Sequence, residues 1–273
     1  MQDISINDTK RICEVVKDKY GYDFTNYAMS SFKRRINRVM EIKKISTIDN
    51  LLAMIKNNQI AKDEFLHEIT VNVTELFRDP SFWRALKQVI PNLFLNQQKI
   101  RIWHAGCSSG EEAYSMLIVL EEMGLLDKVE IIASDIDKCI LEKAKSGRIQ
   151  IRKMDINEKN YIRYNNNGDI RKYFQYEKEY AVFDLELLKR VSFREINLVN
   201  AVPFTKCDLI LCRNVMIYFN QQLQKDVIRL FHESLFMYGY LAIGSKESII
   251  WSDVAGKFLV VNQEEKIYKK YKD

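Results

Sequence analysis

The chain has 273 residues, 47% of them hydrophobic and 29% charged, with a formal net charge of +5. That balance belongs to a soluble globular protein of one or two domains with a sizeable core. Nine glycines and three prolines exclude collagen-like and low-complexity chains, and no stretch approaches the roughly 18 uncharged apolar residues of a membrane span.

The first ten residues, MQDISINDTK, are polar with no apolar centre, so no secretory signal is expected. Residues 5–20 put Ile6, Ile12, Val15 and Val16 near one helical face, with Gly21 as a stop. A second helix is predicted over 27–44, where Tyr27, Phe32, Ile36, Val39 and Met40 recur at helical spacing. Ser46-Thr47 can cap a third over 48–57, and a fourth runs over about 61–70. No strand-like run interrupts this region, which reads as a small helical bundle ending near residue 80.

From about residue 99 short β-rich runs alternate with helical ones. Strands are predicted at Lys99–His104, Val129–Ser134, Val191–Ile196, Asp208–Cys212 and Tyr240–Gly244. Helices are predicted at Glu111–Glu122, Lys138–Lys145 and Gln221–Tyr238. Such alternation means an α/β domain with a parallel sheet and right-handed crossovers. Lys257–Val261 and Lys266–Tyr271, only four residues apart, suggest an antiparallel hairpin at the sheet edge. Residues 148–190 break the alternation. Two runs of alternating polarity flank Asn165-Asn166-Asn167-Gly168, so an antiparallel insertion with a hairpin at Asn-Gly is predicted there.

Two loops carry the chemistry. The strand at 99–104 leads into Ala105-Gly106-Cys107-Ser108-Ser109-Gly110-Glu111-Glu112, and a helix follows. Small residues allow close backbone approach to a ligand, but the spacing is G-x-x-x-G rather than G-x-G-x-x-G, and two carboxylates would repel a pyrophosphate. The next strand ends in Ser134-Asp135-Ile136-Asp137. An acid there, about 25 positions after the glycine loop, is the usual partner of ribose hydroxyls in doubly wound folds. The pair points to S-adenosylmethionine rather than a nicotinamide dinucleotide.

Four ordered stretches make a resemblance specific: Asn72-Val73-Thr74-Glu75-Leu76-Phe77-Arg78-Asp79; Ile102 to Ser115 around the glycine loop; Ala133-Ser134-Asp135-Ile136-Asp137; and Asp208-Leu209-Ile210-Leu211-Cys212-Arg213-Asn214-Val215-Met216-Ile217-Tyr218-Phe219. In these the chain resembles the CheR-type protein-glutamate O-methyltransferases of chemotaxis, over nearly its whole length. The resemblance implies an all-α domain over 1–80 that recognises the receptor. Over 81–273 it implies a Rossmann-like methyltransferase domain with an antiparallel β-subdomain at about 148–190. It implies S-adenosylmethionine contacts from Asn72, Thr74, Arg78, Gly106, Glu112, Asp135, Asn197, Leu198, Arg213 and Asn214. Arg78 and Tyr218 are placed closest to the chemistry, with the Arg78 fork suited to the methionine carboxylate. Leu76 and Ala113 stand where the family often has Phe and Pro. Gly244-Ser245-Lys246-Glu247 replaces a common G-H-S-E, and no catalytic role is assigned to that turn.

A structural role competes at several of these positions: an ion pair for Arg213, a packed aromatic for Tyr218, helix caps for Asn72 and Thr74. The inventory suits the reaction, because a glutamate carboxylate, with a pKa of about 4.3, is already an anionic nucleophile and needs no general base. The three histidines show no metal-ligand spacing, so no metal is expected. The five cysteines form no C-x-x-C pair, which reads as reduced thiols and a cytoplasmic location. Between Tyr27 and Ile48, Lys33, Arg34, Arg35, Arg38, Lys43 and Lys44 face a single acid, Glu41. In the resembled family such a basic helix meets the acidic helical bundle of a chemoreceptor, so Lys33, Arg34, Arg35 and Arg38 are expected to bind substrate. A monomer without a nucleic-acid partner is the family's default. Methylation of another acceptor such as RNA, or a non-catalytic cofactor-binding scaffold, are the alternatives.

Overall fold

A computed structural model describes residues 4–95 and 97–273. Residues 1–3, part of the polar opening stretch, lie outside the described residues. Four helices come first: α1 (Ile6–Tyr20), α2 (Met29–Ile42), α3 (Ile48–Lys56) and α4 (Lys62–Ile69). Local chemistry sets their ends. Ser5 Oγ accepts from the Asp8 N–H at 3.0 Å, Gly21 closes α1 at φ +77°, and Thr47 Oγ1 accepts from the Asn50 N–H at 3.2 Å. The apolar stripes of these helices meet in a core of their own that includes Ile12, Val16, Phe32, Ile36, Leu51 and Phe65. Ile6 is not part of it; at 63% exposure it faces solvent.

A fifth helix, α5 (Pro80–Leu93), was not expected. Pro80 opens it, where a missing N–H costs nothing, and Phe82, Trp83, Leu86, Val89, Ile90 and Leu93 bury one stripe in the core of the second domain rather than in the bundle. The rest of the chain runs β1 (Ile100–Ala105), α6 (Glu111–Glu122), β2 (Val129–Asp135), α7 (Lys138–Ser146), β3 (Arg148–Gln150), α8 (Met154–Tyr164), β4 (Phe174–Tyr176), β5 (Tyr180–Phe183), α9 (Leu185–Leu188), β6 (Val191–Glu195), β7 (Cys207–Cys212), α10 (Gln221–Ser234), β8 (Leu235–Ile243), β9 (Phe258–Asn262) and β10 (Ile267–Lys270).

Seven strands form one sheet in the order β6-β2-β1-β7-β8-β10-β9. The first five are mutually parallel, and β10 runs against both of its neighbours. β9 and β10 form the expected hairpin, with β9 at the edge. Period-two alternation divides β1 between the faces: Ile100 and Ile102 enter the core under α5 and α6, Trp103 and Ala105 the core under α10. Strand order reverses at β1, so the crevice beyond its C-terminal end is where a ligand is expected in an open α/β sheet.

Two expectations need correction. α10 ends at Ser234, and the residues to Tyr238, assigned to the helix, begin β8. The insertion is antiparallel, in the order β3-β5-β4, but its hairpin turn follows Tyr176, not Asn167-Gly168. Residues 154–164 are the helix α8, and Gly168 lies where a Cβ would fall 2.3 Å from Tyr161 Oη. A reverse turn does form there, the Gly168 N–H donating to the Asn165 carbonyl at 3.1 Å, but it follows a helix rather than joining two strands, and packing against the Tyr161 ring is what requires glycine.

Two seams tie the helical bundle to the sheet. The Ala28 N–H donates to the Tyr218 carbonyl and the Asn220 N–H to the Asn26 carbonyl, each at 2.8 Å. Elsewhere His67 Nδ1 lies 2.7 Å from Asp137 Oδ2. Among the described residues no helix is long and apolar enough to cross a membrane.

Candidate functional site

The loops after β1, β2, β6 and β7 meet the 69–78 segment and the first half of α2 around an open cleft. Asn72, Thr74, Arg78, Gly106, Glu112, Asp135, Asn197, Leu198, Arg213, Asn214 and Tyr218 all line it. Sequence separations of up to 146 positions, Asn72 to Tyr218, therefore close into one wall.

The backbone there is unusual in a consistent way. Phe77, Asp79, Ser108 and Asn214 hold φ between +50° and +61°, beside Gly106 at +81°. Asp and Asn tolerate that region, but Phe77 and Ser108 hold it because their surroundings impose it. The impositions are visible. The Phe77 N–H donates to Ser115 Oγ at 2.8 Å, and its ring stacks on Tyr164 with centroids 4.7 Å apart. The Trp83 indole donates to the Arg78 carbonyl at 3.0 Å. The Ser108 N–H donates to Asp135 Oδ2 at 2.8 Å. At Gly106 a Cβ would lie 2.4 Å from Val215 Cγ2, so the first and fourth strand loops touch there and glycine is required.

Electrostatics separate the charged residues into two kinds. Arg213, 3% exposed, is committed to the protein: Nη2 reaches Asp79 Oδ2 at 2.7 Å, Nη1 reaches Glu112 Oε2 at 3.4 Å, and the guanidinium lies 3.7 Å from the centroid of the Phe82 ring. The ion-pair role weighed against ligand contact is thus present, though the residue also borders the cleft. Arg78 differs, since among the described residues it makes no ion pair, and its guanidinium's only hydrogen bond is a 3.4 Å contact from Nη1 to the Val73 carbonyl. Its fork is free for a carboxylate.

Of the two acids after the glycine loop, only Glu112 borders the cleft. Burial works to raise its pKa, but the contact with His104 Nδ1 at 2.9 Å and the charge of Arg213 prevail and hold it below the ordinary value. His104 had no expected role. It is fully buried behind Glu112, and nothing in its spacing marked it. Asp135 moves the other way: burial pushes its carboxyl up, against N–H donors from Asp137 and Ser108.

Asn72 is not a helix cap. Its Nδ2 donates to Asp137 Oδ2 at 2.9 Å and to Thr70 Oγ1 at 3.0 Å, while Asp137 itself caps α7 through the N–H groups of Cys139 and Ile140. Asn197 Oδ1 accepts from the Val199 N–H at 3.0 Å and shapes its own turn. Tyr218 is held by its main chain, and its hydroxyl makes no hydrogen bond among the described residues. Of the basic residues of α2 only Arg35 reaches the cleft, its Nε buried and unpartnered. Lys33 and Arg34 lie outside the lining, and Arg38 sits on the surface 3.4 Å from Glu68.

The donor set fits S-adenosylmethionine. A carboxylate at the end of β2 suits ribose hydroxyls, an unpaired guanidinium suits the amino-acid carboxylate, and a carboxylate held ionised suits the ammonium. Gly106 lets the backbone approach.

Comparison with known proteins agrees. The family model described as the CheR methyltransferase, SAM binding domain, matches residues 72–267, and that of the CheR methyltransferase all-alpha domain matches residues 7–70. Cher3 of Pseudomonas putida is 36% identical over 259 residues, 95% of each chain. The chemotaxis protein methyltransferase of Listeria innocua is 36% identical over 86% of this chain and 88% of its own. Chemotaxis protein methyltransferase 1 of Pseudomonas aeruginosa is 32% identical over 82% of both. Among solved structures, an S-adenosylmethionine-dependent methyltransferase from Geobacter sulfurreducens in complex with S-adenosylhomocysteine aligns over 67% of this chain and 55% of that one. Its TM-score is 0.36 at 14% identity, too slight a likeness to carry an argument. With both models matched in order across almost all of its length, the chain belongs to the CheR methyltransferases, the S-adenosylmethionine-dependent methyltransferases of chemotaxis.

Proposed function

We propose that the acceptor is the side-chain carboxylate of glutamates in the cytoplasmic helices of chemoreceptors, converted to methyl esters. The observation that supports this reading is the cleft lining, to which Arg35 of the basic helix α2, its Nε buried and unpartnered, contributes together with Tyr218. A cation in that lining suits an anionic acceptor on an acidic surface.

When bound, S-adenosylmethionine supplies a methyl group on a sulfonium; a carboxylate oxygen forms the C–O bond as the C–S bond breaks, and its electron pair stays on sulfur. The protein's part is alignment and exclusion of water. In this reading Asp135 holds the ribose, Asn197 and Leu198 border the adenine, and Arg78 fixes the amino-acid end with Glu112. Asn72 and Thr74 form the wall beside that end, and Tyr218 and Asn214 border the transferring methyl. Two imidazoles abut cleft-lining residues, His104 at Glu112 and His67 at Asn72, and each is engaged by a carboxylate, Glu112 and Asp137 respectively, which suits a nucleophile that needs no deprotonation. The helical residues to about 80 recognise the receptor through Lys33, Arg34, Arg35 and Arg38, and the remainder performs the transfer. The chain then works as a cytoplasmic monomer, with a protein rather than a nucleic acid as acceptor.

The test is transfer of radiolabelled methyl from S-adenosylmethionine to receptor-containing membranes, followed by mild alkali. Label on a receptor-sized band that leaves as volatile methanol supports the glutamyl ester. Alkali-stable label moves the assignment to nitrogen or another acceptor.

A further inference from the structure

The turn after β8, Gly244-Ser245-Lys246-Glu247, carries a buried carboxylate that the chemistry above does not use. Glu247 is 5% exposed. Its Oε2 accepts from the Gly244 N–H at 2.5 Å and the Asn214 N–H at 3.2 Å. Its Oε1 accepts from the Val215 N–H at 3.0 Å and the Ile217 N–H at 3.3 Å. Among the described residues it has no cationic partner. Burial pushes its pKa up, against those N–H donors; the geometry nonetheless suits the ionised form, since with both oxygens accepting from fixed N–H groups a protonated carboxyl would set its O–H against a donor.

Three of those donors belong to the loop after β7. That loop forms no regular structure before a single 3₁₀ turn at Met216–Tyr218, and Asn214 sits in the left-handed region at φ +61°. Without the carboxylate its part-buried N–H groups at 214, 215 and 217 would lose the one side-chain acceptor they share. The same short segment does three things at the cleft. Asn214 and Tyr218 line it, Val215 packs on Gly106, and the Tyr218 carbonyl receives the N–H that joins the helical bundle. Gly244 completes the fit, since a Cβ there would lie 2.8 Å from Glu247 Oε2 and 2.9 Å from the Asn214 nitrogen.

We propose that Glu247 is a positioning residue for methyl transfer, its carboxylate holding the 214–218 backbone in the shape that sets Tyr218 and Asn214 against the reacting groups. The inference rests on the role assigned above to Tyr218. It makes Glu247 act on turnover more than on cofactor binding, because Arg78, Glu112 and Asp135 are held by other contacts.

Glu247→Gln keeps the shape but turns one acceptor oxygen into an amide N–H₂ that faces the same donors. The expected result, per folded molecule and at saturating S-adenosylmethionine, is a fall in kcat of at least tenfold. S-adenosylhomocysteine affinity by calorimetry should change less than threefold. Added to Tyr218→Phe, the change should lower kcat by clearly less than the product of the two single effects, because both act through one group. A purely structural role predicts unaltered kcat per folded molecule, or independent effects that multiply, and either result overturns the proposal. If Glu247→Gln does not fold, Glu247→Asp, which keeps the charge, is read in the same way and should retain part of the rate. Wild-type protein run alongside separates the two readings. No transfer to receptors by wild type refutes the acceptor assignment, whereas transfer by wild type and equally by the variant refutes the role of Glu247.

Discussion

Arg78 and Arg213 carry the same functional group into one cleft and end in opposite situations. Arg213 is bracketed by Asp79 and Glu112, so its charge is spent inside the protein. Arg78 keeps a free fork. Removing a charge-assisted contact to a carboxylate costs about 1.5–3 kcal/mol, so Arg78→Ala should weaken S-adenosylhomocysteine binding by roughly 10- to 100-fold in calorimetry; unchanged affinity would remove Arg78 from the site. Asp135 supports a second prediction. Burial raises its pKa above the ordinary 3.8, and both of its oxygens already accept backbone N–H groups. Protonation would remove acceptor capacity that the ribose needs. Affinity for S-adenosylhomocysteine should therefore be full above the raised pKa and fall as pH drops through it, earlier than an ordinary aspartate would dictate. Asp135→Asn should bind more weakly and lose that step. Glu112 shifts the opposite way, so a step that survives in Asp135→Asn would assign the titration to another group.

Between neighbouring elements the decisive contact is Gly106 on Val215, where the loops after β1 and β7 meet. An alanine there meets two separate obstacles: the left-handed conformation, worth about 1–2 kcal/mol, and the overlap with the valine methyl. Gly106→Ala should lower Tm and weaken S-adenosylhomocysteine binding. Combined with Val215→Ala it should recover part of the loss but not all of it, because shrinking the valine relieves only the overlap. Full recovery would mean that φ carries no cost at this position. The glycine loop, Asp135 and the Arg213–Tyr218 stretch were legible in the chain because each lies at the end of a strand whose apolar run marks it. The clear helices of the bundle were legible for the same reason, together with their caps at Ser5, Thr47 and Gly21. What stayed hidden depends on partners distant in sequence. α5 starts favourably at Pro80, but Pro91 inside it is a local signal against a helix, and its packing in the core of the second domain outweighs that. The turn at Asn165–Gly168 was legible, but it read as a strand hairpin because neither helix α8 before it nor the Tyr161 ring that demands Gly168 can be seen from the neighbouring residues. Glu247 looked like one more acid in a turn, and only the folded chain brings its oxygens to the N–H groups of residues some 30 positions earlier.

At the scale of the whole molecule the helical bundle is joined to the catalytic sheet at the functional loops themselves. One seam uses the carbonyl of Tyr218; the other links His67 to Asp137, the residue that also holds Asn72. Whatever docks on the bundle is thereby set beside the cleft, with α2 as the charged approach. Lys33, Arg34, Arg35 and Arg38 lie on this one helix, but only Arg35 enters the cleft lining, so under the proposed reading the other three would act at longer range. Exposed charges interact over about 10 Å at 0.1 M salt and over longer distances in dilute buffer, and steering of this kind changes association rates by about 10- to 1000-fold. Substituting all four by glutamine should lower kcat/KM for receptor methylation by about tenfold or more at low ionic strength. The wild-type rate should fall steeply as salt is added, while that of the variant stays nearly flat and the two converge. The folded state should hardly change, because the one ion pair lost among the described residues, Arg38 with Glu68, is exposed and worth at most about 1 kcal/mol. Restoring Arg35 alone should recover kcat more than the salt slope, since a cation in the cleft acts on the bound acceptor and three on the surface act on its approach. A quadruple variant that methylates receptors at the wild-type rate in dilute buffer would show that α2 does not face the substrate, and the acidic-bundle reading of the acceptor would lose its electrostatic basis.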